Sequence, residues 1–345
     1  MTFFEENRDA LAAFAAMSQK VGARNDYVQG GGGNTSVKLS GGRMAIKASG
    51  YCLSDIKEDC AYAVLNCAAL QDFYYNNEPA DFEDAEAAGA AKTKENIIPV
   101  EGMPSLRPSV EAGFHSLLDT FVIHTHSIYS NLASCSKECA SILEQALAGA
   151  DYDYAIIPYT DPGTRLSFVI RDALAKNRAQ VLFLVNHGVV VHENNAERCV
   201  EIHEDLNKRL AAYFKAPFET LDVKACDAGY GIPEAEGFYK NTAAAEAALL
   251  TDSLFPDQAV FFKDCLVISA DAPEEGKCSF DFRMSIMRSA VTGGKARVVA
   301  EVIAAVTFIR RYIQEAGFNV QTMSESGLDF INNWESEKYR RSLAK

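Results

Sequence analysis

The sequence predicts an α/β protein, and three observations lead there. Short apolar, β-branched runs such as Phe121-Val-Ile123 and Val181-Leu-Phe-Leu-Val185 alternate with longer segments of helical period. Clusters of Gly, Pro, Asn and Ser punctuate the boundaries between them. Of the 345 residues, 48% are hydrophobic, which fills either one large domain or a core with an appended lobe.

In order along the chain, an amphipathic helix is expected over about 4–22, with Phe4, Leu11, Phe14 and Met17 as its apolar face. After Gly30-Gly-Gly-Gly33 come two strands, Thr35–Leu39 and Arg43–Lys47, joined through Ser40-Gly41-Gly42. A helix is expected over about 55–70, and the Ala-, Glu- and Lys-rich stretch 76–96 is expected to include a mobile insert. Helix 109–118, strand 122–125, helices 127–135 and 137–148, and strand 155–158 follow. Next are helix 164–176, strands 181–185 and 189–192, and a long helix over 195–214. Beyond Pro217 the pattern changes. The glycine-bearing stretch 226–240 reads as a connection, followed by an Ala-rich helix 241–251, strands 259–262 and 265–269, a helix 294–315 and a helical tail 324–343 holding Trp334. No internal repeat is visible.

Forty-seven acidic against 33 basic residues give a formal net charge of −14, which argues against a nucleic-acid or anionic-membrane surface. The nine cysteines are odd in number and scattered without a C-x-x-C pair, a usage that fits a reducing cytosol. The N-terminus is acidic and then amphipathic, unlike an export signal, and no uncharged apolar run approaches the roughly 18–20 residues of a membrane span. The expected location is cytoplasmic.

Chemistry concentrates around the histidines. On a strand, side chains two apart share a face about 6.6 Å apart, so His124 and His126 can lean toward one ion while Thr125 points away. His187, in Asn186-His187-Gly188 after a second apolar run, is the candidate third ligand, completing a set that leaves coordination positions open for substrate. Each histidine alone also reads as a buried residue bonded to backbone. With a carboxylate upstream, the three together point to a divalent transition metal, zinc first and manganese, iron, cobalt or nickel behind it. Cys135 and Cys139, at i, i+4, read as core packing rather than ligands.

Three loops suit an anion. Gly30–Gly33 lets backbone approach closely, and the amides beside Asn34 and Thr35 can form a nest, although a flexible turn is the plain alternative. Because a helix precedes this run and a strand follows it, it is no dinucleotide fingerprint. Lys47-Ala-Ser49-Gly50-Tyr51 and Arg107-Pro108-Ser109-Val110-Glu111 are the other two, with Ser109 expected to cap a helix whose free amides face outward. In the second lobe, Ser289–Ala296 fails the phosphate-loop pattern at its first glycine and at Ala296, and no catalytic constellation stands out there. Glu111 and His115 lie i, i+4 on one helix face. A carboxylate so placed can move a proton to and from carbon, can join His115 as a metal ligand, or can simply be a solvated acid favoured by the helix dipole.

The motifs Gly33-Asn34-Thr35-Ser36, Ala48-Ser49-Gly50, Pro108-Ser109-Val110-Glu111 with His115, His124-Thr125-His126-Ser127, Pro158-Tyr159 with Pro162-Gly163-Thr164, and Asn186-His187-Gly188 span about residues 5–215. In them the chain resembles the class II aldolase/adducin family, the zinc-dependent aldolases of sugar phosphates. The resemblance implies a three-layer α/β/α fold around a central, largely antiparallel sheet, with residues 1–217 as the catalytic domain and 218–345 as a C-terminal α/β extension. It implies Zn2+, or another divalent transition metal, on His124, His126 and His187, and Glu111 as an acid/base that also touches the metal before substrate arrives. Gly33, Asn34, Ser49, Gly50 and Ser109 map to the substrate-phosphate loops, and Tyr159, in the stretch lining the far side of the pocket, is carried over as a second catalytic residue.

Val110 stands where the short aldolases have a second serine, removing one hydroxyl from the anion site. That form and the long extension look more like the aldolase part of bifunctional rhamnulose-phosphate aldolase/alcohol dehydrogenase proteins, without their dehydrogenase half. The implied reaction is reversible retro-aldol cleavage of a rhamnulose- or fuculose-phosphate-like ketose 1-phosphate to dihydroxyacetone phosphate and an aldehyde. Chelation of the adjacent carbonyl and hydroxyl oxygens replaces the lysine Schiff base of the other aldolase class, and Glu111 reprotonates carbon. The alternatives are an epimerase or decarboxylase of the same family, or a non-catalytic adducin-like module. Ribulose-phosphate epimerases of the family carry aspartate in place of Glu111, and adducin-like modules lose the zinc histidines. Expected partners are a small phosphorylated sugar and further copies of the chain, as a homo-oligomer, a tetramer by resemblance, with neither nucleic acid nor membrane.

Overall fold

Gly41 and Gly42, both at φ 69°, reverse the chain between β1 (Asn34–Leu39) and β2 (Arg43–Lys47), and that hairpin starts the main sheet. In the computed structural model, which describes residues 2–291 and 293–333, β3 (Tyr62–Asn66), β4 (Phe121–Thr125), β5 (Tyr154–Ile157), β6 (Val181–Leu184) and β7 (Gly188–Glu193) complete it. The strand order is β3-β2-β1-β4-β7-β6-β5, with every neighbouring pair antiparallel except β5 and β6.

The helices of this part are α1 (Phe3–Glu6), α2 (Arg8–Gly22), α3 (Cys67–Asn76), α4 (Ala85–Glu95), α5 (Ala112–Leu117), α6 (Ile128–Ser134), α7 (Cys139–Ala146), α8 (Thr164–Lys176) and α9 (Ala196–Tyr213). Side-chain alternation on the strands divides the core. Ile123 of β4 packs with Phe14 of α2, Leu132 of α6 and Leu206 of α9 on one face, while Val122 packs with Phe114 of α5 and Ile170 of α8 on the other. This is the expected three-layer arrangement.

The second part holds α10 (Thr242–Glu246), continued as one π-helical turn over Ala247–Thr251, then α11 (Pro256–Phe262), α12 (Lys295–Glu315) and α13 (Glu325–Asn333). Its strands β8 (Lys224–Cys226), β9 (Gly229–Gly231), β10 (Leu266–Ile268), β11 (Cys278–Asp281) and β12 (Ile286–Ser289) form a second sheet, ordered β10-β11-β12-β9-β8. Val302, Ile303 and Val306 of α12 belong to the same hydrophobic cluster as Ile128 and Leu132 of α6, so one apolar core runs through both parts.

Several expectations are corrected. The helix expected over 55–70 is instead β3 followed by α3, because Asn66 caps α3 by accepting from the Ala69 amide (3.1 Å) and Tyr62–Asn66 pairs with β2. The stretch 76–96 is no loose insert. It carries α4, capped by Asp84, whose Glu86 accepts from the backbone amides of Thr164 and Arg165 (2.8 Å each) at the start of α8. The strand expected at 259–262 is the helix α11, all buried, with Pro256 in its first turn; a short apolar run fits a buried helix and a strand equally by pattern. The stretch 226–240 contains β9, and the helical tail expected to 343, with Trp334, lies outside the described residues beyond Asn333. No described helix is long and apolar enough to cross a membrane.

Candidate metal centre and its cleft

His124 is the fourth residue of β4, buried on both faces of the sheet, and Thr125 turns the other way to meet His203 of α9 (2.8 Å). His126 follows at the strand end. His187 sits in the tight link between β6 and β7, and each residue around it has a mechanical reason. Asn186 adopts φ 52°, a left-handed conformation that asparagine tolerates better than bulkier side chains. A Cβ on Gly188 would come within 2.3 Å of the Thr125 carbonyl, so β7 can lie beside β4 only with glycine there. Gly33, at φ 65°, likewise brings β1 against the His124 carbonyl, 2.5 Å from where a Cβ would stand.

The three histidines present one nitrogen each, all within 4.8 Å of one another. The His124 Nδ1–H donates to the Val189 carbonyl (3.0 Å), and the His126 Nδ1–H donates to the Asp257 carboxylate (2.6 Å). Both Nε2 atoms are therefore lone pairs, facing each other at 3.2 Å. Two lone pairs at that distance repel unless a cation lies between them. Tetrahedral coordination at Zn–N bonds of about 2.0–2.1 Å separates two ligand nitrogens by about 3.3 Å. Burial lowers the pKa of His124, which keeps its imidazole neutral as a ligand must be.

Glu111 closes the set. Its Oε2 lies 3.5 Å from His124 Nε2 and its Oε1 3.5 Å from His187 Nε2. Oε2 accepts from Asn34 Nδ2 (2.6 Å), while buried Oε1 has no hydrogen-bond partner among the described residues. A buried carboxylate oxygen left so is expensive without a cation, so the donors present fit a divalent metal ion. A buried relay orients Glu111: the Ser36 hydroxyl donates to His115 Nδ1 (2.8 Å), His115 Nε2–H donates to Asn34 Oδ1, and the Asn34 amide donates to Glu111. Burial pushes the His115 pKa well down, so it serves as this neutral link, and the three-nitrogen cluster does not include it.

The centre opens into a narrow cleft lined by Gly33, Asn34, Ser49, Gly50, Ser109, Glu111, His126 and His187. Ser109 does not cap exposed helix amides as expected; its Oγ accepts from Glu111 N (3.3 Å) and Asn34 Nδ2 (3.1 Å), and α5 begins only at Ala112. Tyr159 is not among the lining residues. A Cβ on Gly327 of α13 would come 2.7 Å from its ring, and its buried hydroxyl has a raised pKa because of desolvation.

One residue was read from the sequence only as part of a loop, and another escaped that reading altogether. Lys47 is a buried lining residue whose ammonium donates to the carbonyls of Gly31 (3.2 Å) and Tyr51 (2.6 Å). Asp257, from the lobe that showed no catalytic constellation, bonds His126, and its neighbour Pro256 lines the cleft. No local signal marks Asp257, since its partner is 131 residues away.

A family model, the Class II Aldolase and Adducin N-terminal domain, matches residues 12–214. Among solved structures, the N-terminal class II aldolase domain of a conserved protein from Thermoplasma acidophilum is 20% identical, with a TM-score of 0.51 over 62% of this chain and 96% of its own. YgbL from Klebsiella pneumoniae is 19% identical, with a TM-score of 0.44 over 62% of this chain and 91% of its own. The L-fuculose-1-phosphate aldolase from Thermus thermophilus is 16% identical, with a TM-score of 0.38 over 60% of this chain and 94% of its own. No curated protein matches the sequence.

Proposed function

Because the chain belongs to the class II aldolase and adducin family, we propose that it is a metal-dependent aldolase that cleaves a ketose 1-phosphate, reversibly, to dihydroxyacetone phosphate and an aldehyde. The observation that supports this reading best is the Glu111 carboxylate set among three imidazoles, with one oxygen bound to Asn34 and the other open to the centre. His124, His126 and His187 would hold the ion, zinc or another divalent transition metal. Bound there, it would supply Lewis-acid stabilisation of the enediolate charge that develops as the carbon–carbon bond breaks.

The remaining work falls to the chain's own groups. Lys47, the glycine-loop backbone at Gly33, and Ser49, Gly50 and Ser109 offer one cation and several donors in the lining of the cleft, which suits a phosphate. Asn34 holds Glu111 Oε2, leaving Oε1 to carry the proton. In the cleavage direction Glu111 takes the hydroxyl proton of the departing carbon as its aldehyde carbonyl forms, the electrons of the breaking carbon–carbon bond pass to the donor carbon, and Glu111 returns the proton to that carbon, giving dihydroxyacetone phosphate and the aldehyde. Tyr159, half-buried with its ring against Gly327, does not line this cleft.

The test is a screen of ketose 1-phosphates with zinc-loaded and chelator-stripped protein. Metal-dependent release of dihydroxyacetone phosphate is expected. Stereochemical inversion without cleavage would replace this reading with an epimerase, and activity unaffected by stripping would remove the metal from it.

A further inference from the structure

We propose that Asp257, supplied from the part of the chain beyond the family domain, is a positioning residue for the metal centre: its carboxylate fixes the tautomer and aim of His126 and thereby sets affinity for the cation. The inference rests on the metal reading above.

Asp257 is fully buried, and its Oδ2 accepts from His126 Nδ1–H at 2.6 Å. Imidazole ligands commonly donate their second N–H to an acceptor that locks ring orientation and raises ligand basicity, and loss of that acceptor weakens metal binding. The two strand-borne histidines differ in what they are given. His124 has a neutral backbone carbonyl, Val189 O, whereas His126 has an anion. With neutral imidazoles, Glu111 alone leaves a bound divalent ion one positive charge in excess. Asp257 adds a second buried negative charge beside the ligands, which lowers the cost of holding the ion away from water.

The surrounding structure is built to keep the carboxylate there. Asp257 is the second residue of α11, directly after Pro256. Next to it, the Gln258 carboxamide accepts from Leu254 N (2.9 Å) and donates to the carbonyls of Ala248 and Leu249 (2.9 and 3.0 Å). The Leu254 carbonyl in turn accepts from Asn186 (2.8 Å), so the same segment braces the turn that presents His187. On the opposite side, a Cβ at Gly32 would stand 2.6 Å from Asp257 Oδ2 and 3.2 Å from His126 Nδ1. The carboxylate reaches the imidazole only because residue 32 has no side chain.

Two variants test this from opposite sides, using full-length protein stripped of metal and titrated with Zn2+ against a chromophoric chelator. Asp257→Asn keeps the shape and removes the charge. Gly32→Ala keeps the Asp257 carboxylate but pushes it from the ring. Both should weaken Zn2+ binding by about 10–100-fold and alter the visible absorption bands of the Co2+-substituted protein, with an unchanged far-ultraviolet circular dichroism spectrum. Gly31→Ala, whose nearest contact would be an ordinary 3.7 Å, should retain wild-type Zn2+ affinity. Wild-type Zn2+ affinity and Co2+ bands in both variants overturn the inference, as does a drop in metal-free melting temperature with unchanged affinity, the mark of mere lobe packing. Should Asp257→Asn fail to fold, Gly32→Ala decides. A wild-type protein that takes up no metal would instead bring down the metal reading, and this inference with it.

Discussion

Glu111→Gln separates proton transfer from metal binding. Asn34 Nδ2 lies 2.6 Å from Glu111 Oε2, so a glutamine must turn its carbonyl oxygen to Asn34 and its amide nitrogen to the Oε1 position, 3.5 Å from His187 Nε2. The substitution keeps the volume and the Asn34 bond. It removes the one oxygen that can take a proton and give it back. Positioned general acid–base groups contribute about 10²–10⁴-fold, or about 2.7–5.4 kcal/mol at about 1.36 kcal/mol per decade. Three imidazoles remain, so at saturating zinc the variant should stay loaded while kcat falls by that factor. The cleanest assay needs no knowledge of the aldehyde: exchange of the carbon-bound proton of dihydroxyacetone phosphate with deuterated water, followed by NMR. Exchange by zinc-loaded Glu111→Gln within about threefold of wild type, far from the expected range, would refute Glu111 as the proton carrier. Loss of metal from the variant at saturating zinc would reassign it as chiefly a ligand.

Two further substitutions probe the scaffold. The His192 hydrogen bond first, and then Arg178, hold the Asp119 carboxyl well below its usual range. A depressed carboxylate pKa contributes stability above the unfolded value of 3.8 and loses it as pH falls. Asp119→Asn should therefore cost about 1–3 kcal/mol at pH 6–7 in urea denaturation, with the gap to wild type closing below pH 4; a gap independent of pH would contradict the linkage. Glu86→Ala strips the start of α8 of an acceptor for two amides and should cost about 1–2 kcal/mol while speeding proteolytic cleavage within residues 76–96. Unchanged stability and cleavage would mean that α4 is not held by this contact.

What the sequence made legible was local. The two-residue period of a strand sufficed to place His124 and His126 on one side and Thr125 on the other, and the Ser40-Gly41-Gly42 turn declared its hairpin. Asn186-His187-Gly188 was legible because each of its residues answers to a backbone demand within a few residues. Short apolar runs were not. Tyr62–Asn66 and Ala259–Phe262 each fit strand and helix by pattern, and only partners distant in sequence decide between them: β2 for the first, the common core for the second. Asp257 was invisible for the same reason in sharper form. Nothing in Phe255-Pro256-Asp257-Gln258 distinguishes it from an ordinary helix-start acid, and its proposed role exists only through an imidazole at the end of β4 in the main sheet.

If Asp257 sets cation affinity as proposed, that contact couples metal binding to the packing of the segment that carries α11. The His126–Asp257 hydrogen bond and the clamp of Asn186 on Leu254 and Gln321 cross from the family domain to the second lobe at the two places where the histidines leave the sheet. Coupling between two binding events is reciprocal. If the docked lobe raises cation affinity by about 10–100-fold, the cation must favour the docked lobe by the same factor, about 1.4–2.7 kcal/mol. Amide exchange in α11 should then slow on zinc addition in the wild type and respond far less in Asp257→Asn. Equal protection of α11 with and without zinc would show that the lobe is docked by its apolar core alone, and that the carboxylate reports on the ion without being tightened by it.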